Sequence, residues 1–522
     1  PPLIQGQTAP SSRDNSQPAT IDEPLDHSAM QPAAIDEPRP NRASRSSQLS
    51  RKSTVPAIGR MMSDVLEPVV SFLDITRASA PGEIVLGDEE KGGKPVKIMG
   101  ASLVSSVINL VHTVAGTGIL GLPFAFSKIG LATGTLFLLL GALSSVCSFY
   151  VLARSALKTR ISTFTSLGDA LRPGFSVVVN FFIICNCLGG VISYLVVAST
   201  AFEFSFGASR ALWVGVATAL ATPLVLLDRM DSLRVTSALG IAVLVAFGGF
   251  VAVSYFEPFD MFSPCGRVGD DSCKGDVVAL APSGWEVLLS KFNVFLFAYC
   301  GQTSLLPIIH ELHDPSPRRV VTVLVTAVLG VLLPMYGLFT YFGYLSFGAN
   351  VHPDILDSYP QNGVVTLFRV GLGAAVITNI PLLTFAVRKA LMGMIDQACG
   401  SLYRPAPSKD LAIAPSSLDT LPAAASRCER FRAIWIRNPL ELALALVLIA
   451  TCAGAALLTD NLGLVQSVAG AVGAVAMTFL LPGLFYFAFF REAGCTAVRV
   501  GSLGMLVLGM VLLPLSLALV FL

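Results

Sequence analysis

The chain has 522 residues, of which 53% are hydrophobic and 13% charged, with a formal net charge of +1. Soluble domains carry about 25% charged residues, so this composition and a mean hydropathy of +0.70 exclude an ordinary soluble protein. A polytopic membrane protein remains, in which charge matters by location rather than by sum.

Residues 1–95 are rich in Pro, Ser, Ala, Asp and Arg and nearly lack aromatics; Ile-Asp-Glu-Pro occurs at Ile21 and again at Ile35. Such a stretch cannot bury enough apolar surface to fold, and a disordered amino-terminal tail is expected. The short repeat reads as low-complexity drift, and an apolar patch at Val65–Ile75 as an amphipathic helix on the membrane surface. No secretory signal peptide is read here, because the first long apolar run begins near residue 98 and has no cleavage-like end.

From residue 98 to 521 the apolar runs read as eleven spans: 101–126, 131–153, 175–200, 211–227, 235–256, 287–309, 320–345, 364–387, 439–458, 463–490 and 498–521. Their length selects helix over strand. With a cytosolic amino terminus, the inner loops hold eighteen Lys and Arg, counting Arg499 at the start of the last span, and the outer loops four (Lys128, Arg210, Arg267 and Lys274). The positive-inside rule then places residues 1–95 and the 388–438 loop in the cytosol, and the 257–286 loop and carboxyl terminus outside it. Arg388 and Lys389 are accounted for by this topology. Of ten cysteines, most read as small core residues. Cys265 and Cys273 flank an acidic loop on the oxidising side and are expected to pair.

Two spans are interrupted. The first contains Asn109, His112 and then Val114-Ala115-Gly116-Thr117-Gly118, with Gly121 and Pro123 beyond, inside a run from Ile98 to Ser127 without Asp, Glu, Lys or Arg. The sixth contains Tyr299-Cys300-Gly301-Gln302-Thr303-Ser304 and then Pro307. Broken backbone in a bilayer survives only where protein or a water-filled cavity covers it. Paired breaks in corresponding places of two five-helix halves are the usual pointer to a transport site. Freed N–H groups at a half-helix start suit a carboxylate, and freed carbonyls suit an ammonium. Gly470, Gly473 and Pro482 are expected to bend the tenth span.

The Asn-Leu-x5-Gly-Thr-Gly-Ile-Leu-Gly-Leu-Pro stretch from Asn109, with Leu-Pro-Ile-x-x-Glu-Leu closing the sixth span, resembles the amino acid/auxin permease family. That family includes sodium-coupled neutral amino acid transporters, the vesicular GABA transporter and vacuolar amino acid transporters. The resemblance covers residues 98–521 and implies an all-α LeuT-type fold with a 5+5 inverted repeat and amino acid transport by alternating access. Carried over, Val114, Ala115, Gly116, Thr117 and Gly118 hold the substrate head group, and Tyr299, Cys300, Gly301, Gln302, Thr303 and Ser304 line the other side.

His112 stands where the sodium-dependent members of the family place an Asn, and Ile377-Thr378-Asn379-Ile380-Pro381 departs from their Thr-x-Thr-x-Pro in span eight. Imidazole is a poor alkali-cation ligand but titrates near neutral pH. Proton coupling or exchange is therefore expected over sodium coupling, with Asn109, His112, Thr378 and Asn379 as coupling candidates; a packed neutral histidine is the alternative. Asn186 reads as a packing residue. His310 and Glu311, with His313, Arg318 and Arg319, form a candidate cytosolic gate. No metal, cofactor or nucleic-acid partner is expected, and no catalytic pair is read. The other classes weighed are a sodium symporter, an amino acid sensor of the same fold, and a channel, for which no charged ring or carbonyl filter is read. Plasma membrane and vacuole- or lysosome-like membranes are equally compatible.

Overall fold

The structure, a computed structural model, describes residues 101–227, 234–256, 263–266, 271–281, 284–398, 439–493 and 496–521. The expected disordered tail, residues 399–438 of the expected cytosolic loop and parts of the 257–286 loop lie outside those residues.

Among the described residues there is no strand, only a bridge between Ala101 and Leu312. The helices are α1 (Leu103–Val114), α2 (Leu122–Ile129), α3 (Leu131–Thr159), α4 (Phe164–Leu171), α5 (Ser176–Phe206), α6 (Arg210–Val225), α7 (Arg234–Phe256), α8 (Trp285–Ala298), α9 (Gln302–Glu311), α10 (Pro317–Val325), α11 (Leu333–Phe347), α12 (Ile355–Ser358), α13 (Gly363–Ala398), α14 (Pro439–Leu458), α15 (Leu462–Ala469), α16 (Leu481–Phe489) and α17 (Ala497–Phe521). Short polar side chains set several starts: Ser102, Thr163 and Asn461 accept hydrogen bonds from backbone N–H groups of α1, α4 and α15.

Among the described residues, eight helical stretches are long and apolar enough to cross a bilayer. A ninth is the pair Leu103–Val114 and Thr117–Ile129, bent by 50°. The shorter apolar helix α6 (Arg210–Val225) and α7 stand where the fourth and fifth spans are expected. The most extensive helix pair is α5 with α13, around which α6, α7 and α14 gather.

The expected distortion of the tenth span takes the form of two π-helical turns, Gly470–Ala474 and Ala476–Leu480. Such turns add a residue to a helix turn and re-aim the groups around it. They occur where the span presses on its neighbours without side chains between. A Cβ on Gly470 would lie 2.1 Å from the Asn293 carbonyl oxygen, and one on Gly473 2.5 Å from the Asn186 Cβ. The sulfurs of Cys265 and Cys273 stand at disulfide distance, with Cα atoms 5.4 Å apart.

Arg388 does more than mark topology. Its side chain is 1% exposed, and its Nε faces Glu441 Oε2 at 3.5 Å, joining α13 to α14. Nη1 donates to the Val225 carbonyl at the end of α6 at 3.4 Å. Lys389 pairs with the same carboxylate, also at 3.5 Å, but from a half-exposed position. Removing one partner of a buried pair strands the other charge, whereas an exposed pair contributes little. Glu441→Gln is expected to lower the thermal unfolding midpoint of detergent-purified protein by several degrees, while Lys389→Gln leaves it within error. Equal midpoints for the two variants would contradict the assignment.

Candidate functional site

Both expected breaks are present. α1 ends at Val114, Ala115 leaves helical geometry at ψ 76°, and Gly116 is extended at ψ −156°. A 3-10 turn, Thr117–Gly121, then leads into α2. In the sixth span α8 ends at Ala298, and Tyr299–Gly301 interrupt the helix before α9.

The two breaks interlock. A Cβ on Gly118 would sit 2.6 Å from Ala298 Cα, and one on Gly301 2.5 Å from Val114 Cγ2. Each break therefore lends a glycine to the helix end of the other: Gly118 lets backbone meet backbone, and Gly301 admits the Val114 side chain.

The freed carbonyls have specific partners. The Tyr336 hydroxyl on α11 donates to Ala298 O at 2.7 Å and lies 3.2 Å from Val114 O, bridging the last helical turns of both half-helices. A phenol has one proton to give, so Val114 O holds only the weaker share of it and accepts chiefly from Gly116 N, at 2.8 Å. Gln466 Nε2 on α15 donates to Thr117 O at 2.9 Å, and Ser145 Oγ on α3 to Tyr299 O at 3.0 Å. Gln302, fully buried, is occupied on both ends. Its Oε1 accepts from Gly301 N and Cys300 Sγ, and its Nε2 donates to Ser148 Oγ and Thr478 Oγ1. It holds the shape of the second break, with no capacity left for a ligand.

Other polar atoms here are buried without partners: His112 Nε2, Asn186 Oδ1, Tyr299 Oη, Asn379 Oδ1 and Gln466 Oε1. Polar atoms without a protein partner are rare in a native interior, and these come one from each of five different spans. The Tyr194 hydroxyl on α5 closes over the first break, 2.8 Å from where a Gly116 Cβ would stand. Tyr299 packs its ring on Tyr336 with centroids 4.7 Å apart.

The expected site residues thus fall into groups. Val114, Ala115, Thr117, Gly118, Tyr299 and Gly301 are buried at the interlock, and Gly116, Cys300, Thr303 and Ser304 are half-buried beside it. His112 and Asn379, far apart in sequence, face each other. Thr378 spends its hydroxyl on Ala375 O in its own helix at 2.7 Å. Asn109 lies one turn before His112, and its carbonyl accepts from Thr113 Oγ1. His310 and Glu311 are exposed, and the ion pair at this end is Arg319 with Asp314 at 3.9 Å. Backbone links this end to the start of the first span: Ala101 N donates to Glu311 O at 2.7 Å and His313 N to Ala101 O at 3.0 Å. Asn186, read as a packing residue, reaches the Cys300 thiol. Tyr194, Tyr336, Gln466 and Ser145 were invisible as site residues in sequence. The available signal was their polarity inside otherwise apolar spans.

Comparison with known proteins gives a family match, described as transmembrane amino acid transporter protein, over residues 99–522. Vacuolar amino acid transporter 7 of Saccharomyces cerevisiae is 27% identical over 56% of this chain, which spans 60% of that protein's length. Vacuolar amino acid transporter 5 of Schizosaccharomyces pombe is 27% identical over 76% of this chain and 87% of its own. Vacuolar amino acid transporter 6 of Saccharomyces cerevisiae is 25% identical over 77% of this chain and 93% of its own. A crystal structure of MhsT in complex with L-phenylalanine is 12% identical, covering 80% of this chain and 98% of that one, at a TM-score of 0.47, too distant to argue from.

The interlock makes the glycines unequal. A methyl on Gly118 meets the backbone of Ala298, whereas one on Gly116 meets only the movable hydroxyl end of Tyr194. Overpacking of the first kind costs about 1–3 kcal/mol. Gly118→Ala is expected to lower the unfolding midpoint clearly more than Gly116→Ala does. The reverse order, or equal midpoints, would contradict the geometry.

Proposed function

The chain belongs to the transmembrane amino acid transporter family, and on that premise we propose that it is a secondary transporter carrying an amino acid between its two breaks by alternating access. The observation that carries this reading is the double use of Tyr336. One phenol holds the carbonyls of Ala298 and Val114, the groups at which an ammonium would dock. The substrate ammonium, with three donors, takes both carbonyls and releases the phenol. The carboxylate lies against the N–H groups of the turn starting at Thr117, where the positive end of the half-helix favours an anion, and against the Tyr194 hydroxyl. Thr303, Ser304 and Cys300 stand where the substrate side chain would be read.

In this reading the architecture is a LeuT-type 5+5 inverted repeat of eleven spans, with first and sixth helices broken. The amino terminus is cytosolic, and the carboxyl terminus and the Cys265–Cys273 disulfide are extracytosolic. A vacuole-like membrane fits the names of the relatives. His112 facing Asn379 supports proton-linked transport, by symport or exchange: imidazole is the side chain at the breaks that titrates nearest neutral pH and is ill suited to sodium.

Uptake of a panel of labelled amino acids into vesicles holding the purified protein tests this. A proton gradient is expected to drive uptake and a sodium gradient to leave it unchanged. Tyr336→Phe is expected to lower the half-saturating substrate concentration about tenfold, because the ammonium no longer displaces a hydrogen bond worth about 1.4 kcal/mol. His112→Asn is expected to flatten the pH dependence. Binding without flux would identify a sensor instead, sodium-driven uptake would overturn the coupling, and unaltered pH dependence in His112→Asn would remove His112 from it.

A further inference from the structure

A second group of buried charge lies away from the breaks, between the seventh and eighth spans. The four-residue helix α12 is seated by Ile355 and Leu356, both fully buried, against α5 and the 3-10 turn that follows the first break. Asp354 caps it, Oδ1 accepting from Leu356 N at 3.0 Å. Arg369 on α13, itself 1% exposed, ties it down: Nη2 donates to the carbonyls of Leu356 and Tyr359 at 2.9 Å each.

This leaves charge over on both sides. Nε and Nη1 of Arg369 have no hydrogen-bond partner, and neither do Asp354 Oδ2 and Asp357 Oδ1, all of them buried. Asp354 and Asp357 feel the field of Arg369, and Asp357 also that of Glu203 at the end of α5 and Arg210 at the start of α6. Arg210 spends Nη2 on the Ala456 and Thr459 carbonyls. Among the described residues, the other titratable side chains of this segment are Tyr359, next to Ser254 of α7, and His352, whose backbone N–H donates to Ser358 Oγ. The turn Thr117–Gly121 has no ionisable side chain.

Fully ionised, three carboxylates face two guanidiniums, an excess negative charge in an apolar surround. One proton removes it. We propose that Asp354 and Asp357, set against Arg369, form a proton-binding site on the cap over the first break, and that protons from the extracytosolic side control how firmly α12 is seated. Protonated, the pair is neutral enough to stay buried under Arg369. Deprotonated, two like charges three residues apart on one short element repel each other and Glu203, and the cap loosens from the turn beneath it. The site is distinct from His112, and only its consequence for flux rests on the transport reading.

The sign of the pH effect follows from the burial. Burial raises Asp354 to about 6, and burial together with the neighbouring Asp354 raises Asp357 to about 8. A carboxyl raised on folding stabilises fully below its unfolded value of about 4 and loses that contribution as pH rises through the folded value. The full chain in detergent is therefore expected to lose thermal stability from about pH 4 upward, in a steeper step to about 6 and a shallower one from there to about 8, where the loss ends. Asp357→Asn, a neutral stand-in for the protonated form, should remove the upper step, and Asp357→Glu should keep one. Infrared difference spectra should show a carboxylic acid band at neutral pH that Asp357→Asn lacks. In proteoliposomes, Asp357→Asn should shift the pH profile of flux from the α12 side only. An unchanged stability profile in Asp357→Asn, or an acid band that persists there, would overturn the site. Absence of amino acid flux in the wild type would count against the transport reading alone, because the infrared and stability results decide the proton site independently.

Discussion

The structure depends on two interrupted helices pressed together at their interruptions. Gly118 lies against the Ala298 backbone and Gly301 against Val114, so each break is shaped by the other. An interrupted helix in a bilayer leaves carbonyl and N–H groups that lipid cannot satisfy. Here the interruptions satisfy some of that demand jointly. One tyrosine hydroxyl serves a carbonyl from each, and the glutamine that opens α9 holds Gly301 in place while anchoring to α3 and to the tenth span.

That arrangement explains why the site is polar without being charged. A fixed charge at this depth would need a permanent partner, whereas hydroxyls and carboxamides can exchange a protein partner for a ligand at small net expense. The atoms still without partners, on His112, Asn186, Tyr299, Asn379 and Gln466, ring the same breaks. Charge is kept for the ends of the bundle. Arg388 with Glu441 joins α13 to α14 at one end, and Arg369 with Asp354 and Asp357 holds the cap at the other.

Much of this was legible in the sequence because its cause is local. A bilayer sets a minimum run of apolar residues, and glycine clusters with nearby proline mark where a helix stops, so the long spans and both breaks are found where the residues place them. What could not be read depends on contacts between distant segments. Tyr336 is 222 residues from Val114, and Gln466 is 349 from Thr117. Gln302 looked like a reader of substrate and is saturated within the protein. Arg388 looked like a topology marker and is a buried partner of Glu441. Asp354 and Asp357 sit in a connecting segment, where carboxylates are ordinarily solvated; only the fold brings Arg369 over them.

The central claim is that the amino acid's head group lies between the breaks and takes over the carbonyls now held by Tyr336. A substrate-bound structure tests it most directly. The account predicts the ammonium within hydrogen-bond distance of Val114 O and Ala298 O, the carboxylate against the turn at Thr117, and the Tyr336 hydroxyl displaced from both carbonyls. A substrate seated elsewhere, or one bound between the breaks with Tyr336 still donating to Ala298 O, would contradict it.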